Sequence, residues 1–229
     1  MNADLSRRQW LSSLSAVGLF GGLTLLPNLA RAGAQIEEPL KDSVRSAMTA
    51  AIANNAPPRP TFDAMPARLA YLRWLGATAQ KLKPRMAEYQ TRVEFLQTLW
   101  YESTRAGLEP ALVLGLTQVE SGFRKYVVSS AGARGFMQVM PFWVRSIGQS
   151  AGPSDASRLF HMQTNLRFGC VIMRHYLDIE RGDLFMALGR YNGSRGRAEY
   201  PNAVLAARKQ WALPVEPSEA PSRPVAARP

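Results

Sequence analysis

Apolar positions recur along the chain at intervals of three and four. Val93, Leu96, Leu99 and Trp100 do so ahead of Gly107, and Leu166, Cys170, Met173 and Leu177 repeat the pattern between Asn165 and Glu180. That spacing puts each set on one stripe of a helix, so two amphipathic helices are expected. Pro110 and Pro141 stand where proline opens a helix at its first turn, and Gly107 and Gly182 where glycine follows a helix end. No alternating apolar and polar run exceeds a few residues, which leaves no room for a substantial sheet. The fold class expected is mainly α.

The pattern fades at both ends. Asn54-Asn55-Ala56-Pro57-Pro58-Arg59-Pro60 cannot continue a helix and reads as an extended linker behind a short helix over residues 40–53. Pro214, Pro217, Pro221, Pro224 and Pro229 punctuate a stretch with few large apolar residues, too little burial to offset ordering entropy. At the front, Arg7-Arg8 precedes a moderately apolar stretch from Leu11 to Leu29, closed by Ala30-Arg31-Ala32. This is the order of an export signal cleaved after Ala32, which leaves no stable transmembrane anchor. The arginine pair followed by Trp10 and Leu11 resembles a twin-arginine signal, with ordinary secretion as the alternative. The organisation expected is a signal over 1–32, a segment and linker over 33–61, a domain over 62–212 and a disordered Pro-rich tail over 213–229.

Composition narrows the chemistry. Of 229 residues, 46% are hydrophobic and 20% charged, which excludes a disordered polymer and a polytopic membrane protein. Lys+Arg 28 against Asp+Glu 17 gives a net charge of +11, and the partners that match are polyanions: nucleic acid, an anionic membrane face or a carboxylate-bearing wall polymer. No phosphate loop and no basic stretch interleaved with aromatics is present, so nucleic acid is not expected. Cys170 is the single cysteine, and with His161 and His175 it offers no metal spacing; no metal and no cofactor are expected. Cys170, Trp74, Trp100 and Trp143 read as core, and the two histidines as surface or capping groups.

The informative stretch runs from Pro110 to Pro141. A helix opening at Pro110 sets Val113 and Leu116 seven and four residues before Glu120, so the carboxylate shares the apolar stripe. Gly122 ends that helix, and both its negative dipole end and the apolar surroundings raise the glutamate's pKa. A carboxyl kept protonated near neutral pH is what a general acid for glycosidic cleavage requires. A helix-end glutamate turned to solvent is the alternative, and spacing does not choose between them. Ser129, Gly132 and Gly135 then form a tight loop, followed by Phe136, Met137, Gln138 and Met140, a mixture suited to sugars. Between Ser121 and Leu177 Asp155 is the one acid, against Arg124, Lys125, Arg134, Arg145, Arg158, Arg167 and Arg174, so an electropositive groove is expected.

Four separated motifs carry a resemblance: Glu120-Ser121-Gly122-Phe123, Ser129 to Gly135 leading into Phe136-Met137-Gln138-Val139-Met140-Pro141, Asn165 with Gly169, and Ala187-Leu188 with Tyr191-Asn192-Gly193 and an aromatic at Tyr200. Together they resemble the soluble lytic transglycosylase family (SLT domain) over about residues 95 to 211. The resemblance implies a lysozyme-like helical domain with a substrate cleft and cleavage of peptidoglycan. It implies Glu120 as sole acid/base, Ser129 hydrogen-bonding in the cleavage site, and Gln138 and Met140, with Asn192, at the sugar subsites. Tyr191 would orient Glu120, Tyr200 would support the site, and Asn165 would hold the cleft helices together or cap one of them.

Three departures stand out: Arg190 where a small residue is common, Phe136 for a common Leu, and Gly196 where an acid is frequent. The implied partners are peptidoglycan glycan strands, with a cell-wall or secretion-apparatus protein a further candidate, and the implied place is the periplasm or cell envelope. The rival readings are a goose-type lysozyme and a non-catalytic glycan-binding or assembly protein.

Overall fold

The structure, a computed structural model, describes Gln35 and residues 42–53, 60–148 and 156–213. The expected export signal, Pro57 and Pro58 of the linker, Asp155 and the tail from Pro214 lie outside the described residues. The described chain forms helices α1 (Asp42–Ala53), α2 (Met65–Leu82), α3 (Tyr89–Arg105), α4 (Pro110–Ser121), α5 (Pro141–Gly148), α6 (Met162–Ile179), α7 (Leu184–Asn192) and α8 (Glu199–Trp211), with a 3-10 turn at Ala156–Phe160. No strand occurs among the described residues. Two isolated bridges, Val128 with Arg134 and Arg134 with Val139, pin the long loop after α4.

Local chemistry sets the helix ends. The Glu88 carboxylate caps α3, accepting from the backbone N–H groups of Gln90 (2.8 Å) and Thr91. Asp183 caps α7 by accepting from Met186 N at 3.0 Å. Pro110 opens α4 at its first turn, and Gly122 closes it in the left-handed conformation at φ 60°, which costs glycine nothing. α4 has almost no solvated face: Ala111 through Thr117 are all buried. A helix apolar nearly all round must be central.

α4 lies along α8, α6 packs against α1, α3 and α7, and α2 rests on α3. The α4–α8 approach depends on Gly115, where a Cβ would sit 2.7 Å from the backbone N of Arg208. Between α3 and α6, buried Arg167 donates to buried Glu102 through Nε at 2.8 Å. Arg167 therefore adds nothing to the expected electropositive groove, and Arg174 is turned to Asp178 at 2.6 Å. Trp143 and Cys170 are core residues, whereas His175, read from the sequence as a surface or capping group, is buried within α6.

The segment ahead of the linker is not separate from the helical body. Met48 of α1 belongs to the same hydrophobic core as α3, α4 and α6, and Trp143 Nε1 donates to Gln35 Oε1 at 2.8 Å. Among the described residues no helix is long and apolar enough to cross a membrane.

Candidate active site

Helices α7 and α8 bring Tyr191 and Tyr200 to the end of α4. Glu120 sits in the last turn of that helix, 8% exposed. Burial pushes its carboxyl up from 4.5 to about 8, against a smaller opposing effect from the Tyr200 hydrogen bond. No second carboxylate enters among the causes. Tyr200, in the first turn of α8, donates its phenol proton to Glu120 Oε1. The acid accepts in that bond and does not spend its own proton on Tyr200.

The tyrosine roles differ from the expected ones. Tyr191, near the end of α7, donates its hydroxyl to the carbonyl of Met137 at 2.8 Å and does not bond Glu120. It still lies close enough for a charge on Glu120 to act on it: burial first, and that charge second, raise its phenol well above the ordinary value. Burial and the same carboxylate raise Tyr200 likewise. Both phenols therefore stay neutral donors. The sequence marks Tyr200 only as a supporting aromatic; its direct contact depends on the α4–α8 packing, which no local pattern displays.

Asn165 is a tie between elements. The N-cap position of α6 belongs to His161, which corrects the capping alternative, and Asn165 lies one turn inside. Its Oδ1 accepts from Met137 N at 2.8 Å, while Nδ2 donates to the carbonyls of Arg134 and Leu159, each at 2.8 Å. Ser121 adds a second tie by donating from Oγ to the carbonyl of Phe136 at 2.7 Å, a role that nothing in its sequence surroundings signals. The loop thus hangs from α4, α6 and α7 at three residues, 136 and 137 and the bridged 134.

Within that loop, Ser129 Oγ accepts from Ala133 N at 3.0 Å, so its hydroxyl shapes the turn. Gln138 is buried with φ 48°, donating Nε2 to the carbonyls of Val127 and Gly135, and its buried Oε1 has no partner. An orphaned buried acceptor costs about 1–3 kcal/mol unless something supplies a donor. Asn192 repeats the feature: Nδ2 donates to Ser194 Oγ at 2.9 Å and the buried Oδ1 is unpaired. Met140 is half-buried at the loop's edge. Phe136 and Met137, expected as groove lining, instead face the core, Phe136 packing 4.9 Å from the ring of Phe95.

Arg190, which stands where a small residue is common, is paired with Glu180 at 2.7 Å, and Arg195 shares the same carboxylate. Those arginines hold Glu180 at about 2, through the Arg195 hydrogen bond above all. Among the described residues no cluster of His, Cys, Asp and Glu could hold a metal ion.

A sequence profile of the family described as Transglycosylase SLT domain matches residues 99–213. The chain belongs to that family. The matched span holds Glu120, Tyr191 and Tyr200 but begins inside α3, so α1 and α2 lie ahead of the SLT domain.

Among individual relatives, a transglycosylase of Enterobacteria phage PRD1 is 30% identical over 120 residues, covering 49% of this chain and 42% of that protein. Membrane-bound lytic murein transglycosylase C of Actinobacillus pleuropneumoniae serotype 5b is 34% identical over 97 residues, covering 39% of this chain and 25% of that protein. The chain therefore spans less than half the length of these relatives. A solved structure of an inactive mutant of the lytic transglycosylase Slt from Pseudomonas aeruginosa aligns with TM-score 0.46 and 21% identity, over 63% of this chain and 29% of that one.

Proposed function

We propose that this chain is a peptidoglycan lytic transglycosylase. It would cut the β-1,4 bond between N-acetylmuramic acid and N-acetylglucosamine and leave a 1,6-anhydromuramic end. The observation that carries the reading is Glu120 itself: buried, protonated to about pH 8, and held through one oxygen by Tyr200. Membership of the SLT domain family supports it, as do relatives named transglycosylase and lytic murein transglycosylase.

In the first step Glu120 gives its proton to the glycosidic oxygen as the bond from C1 to that oxygen breaks. The carbonyl oxygen of the muramic N-acetyl group closes on C1. In the second step the Glu120 carboxylate takes the proton of the C6 hydroxyl, whose oxygen attacks C1 and displaces the acetamido oxygen. The tethered hydroxyl has a large effective concentration relative to water, which favours the internal product. One carboxyl serves both steps, in keeping with the absence of a second carboxylate among the groups that perturb Glu120. Tyr200 holds the acid's orientation, and Gln138, Met140 and Asn192 are the residues that the family resemblance sets at the sugar subsites. Glycan strands of peptidoglycan are the partner, reached by export to the periplasm or cell envelope through the signal pattern of residues 1–32.

Mass spectrometry of fragments released from purified peptidoglycan, before any chemical reduction, tests the reading. Anhydro ends, one water lighter than hydrolytic ends, are expected, and Glu120→Gln should release almost nothing. Reducing muramic ends at full yield would make the chain a goose-type lysozyme. Glycan binding with no cleavage by the wild type would make it a binding or assembly protein.

A further inference from the structure

α2 carries two apolar faces, and the described structure covers only one. Tyr71, Thr78, Ala79 and Leu82 are buried on the side toward α3. Met65, Leu69 and Leu72 are 61%, 45% and 48% exposed. At about 100° per residue these three and Gly76 fall within roughly 60° of one another, about 120° around the helix from the buried face. They form a stripe whose large side chains run about 10 Å along the axis. Arg68 and Arg73 emerge about 70° to either side of it, both exposed. α2 contains no acidic residue, Lys81 and Lys83 continue the positive charge at its far end, and no described carboxylate pairs with Arg68 or Arg73.

The flanking charge selects the occupant. Pairing the stripe with a second copy would bring Arg68 and Arg73 against their own counterparts, with no acid on either helix to relieve them. An acidic polymer would engage the arginines and leave three large apolar side chains in water. An anionic bilayer satisfies both: the apolar stripe enters the boundary between headgroups and chains, and the arginines on each side meet lipid phosphates. We propose that α2 is an interfacial helix that seats the protein on an anionic membrane surface. The seat lies outside the SLT-matched residues 99–213 and stands independently of the catalytic reading.

A fluorophore at the stripe tests this directly. Cys170 is fully buried, so in Leu69→Cys an environment-sensitive dye such as nitrobenzoxadiazole attaches at position 69 of the full-length chain. The dye reports α2 itself, whatever else of the chain meets a bilayer. With vesicles of phosphatidylglycerol and phosphatidylcholine, emission should shift to the blue and be quenched by spin-labelled lipid, and phosphatidylcholine alone should do neither. Adding Arg68→Glu and Arg73→Glu should weaken the response by about 30-fold or more, from about 1 kcal/mol for each lost cation.

Emission unmoved by anionic vesicles overturns the proposal, as does an equal response to both vesicle types. A dye already shielded in solution also overturns it, marking a second copy where shielding depends on protein concentration and the chain's own segments where it does not. A shift with purified peptidoglycan but none with vesicles assigns the face to the wall polymer instead.

Discussion

Glu120→Gln should make the protein more stable at neutral pH while removing its activity. The carboxyl is held at about 8 in the folded chain against 4.5 as its ordinary value. A raised carboxyl pKa means that the folded state keeps a proton that the unfolded state gives up. The stability associated with that proton is fully present below about pH 4.5, is lost steadily as pH rises, and is gone above about pH 8. At 1.36 kcal/mol per unit, the burden at pH 7 is about 3 kcal/mol. Glutamine fills the same space, accepts the Tyr200 hydrogen bond through its carbonyl oxygen and never ionises.

Urea denaturation of both proteins at about pH 4, 7 and 9 reads the difference. The variant should match wild type at pH 4 and exceed it by about 3 kcal/mol at pH 7, equivalent to roughly 6–12 °C in melting temperature for a chain of this size. At pH 9 the gap should be larger still. A gap independent of pH, or a variant less stable at pH 7, would refute the claim that burial holds the acid protonated. It would also withdraw the physical basis for its role as a proton donor.

Tyr200→Phe removes the one interaction that lowers the Glu120 pKa. The high-pH limb of the activity profile should therefore move to higher pH as turnover falls, and a limb that stays in place would detach Tyr200 from the acid. Arg167→Met strands buried Glu102, so chemical denaturation should show a loss of about 3–5 kcal/mol, and a neutral result would mean that water reaches the pair. N-terminal sequencing of the exported protein should begin at Gly33; an intact Met1 in a membrane fraction would contradict signal removal. Export unchanged in Arg7→Lys with Arg8→Lys would point away from the twin-arginine route.

Periodicity and punctuation make α3, α4 and α6 legible in the amino-acid sequence, because apolar spacing, proline at a first turn and left-handed glycine act over a few residues. The same short range makes Glu120 legible: Val113, Leu116 and Gly122 lie on or beside its own helix. α2 and α8 are much fainter. The exposed apolar stripe of α2 blurs its two-sided pattern, and α8 derives its burial from α4 and not from a strong stripe of its own. Three features are decided only by tertiary packing: which tyrosine meets the acid, which cations remain near the site and which loop residues face inward. Tyr191 and Tyr200 are nine residues apart and chemically alike. Gly115 admits the backbone of α8 and so brings Tyr200 to Glu120, leaving Tyr191 to the Met137 carbonyl. A hydrogen bond is set by ångströms between elements far apart in the chain, and local pattern carries direction around one helix axis but no distance to the next.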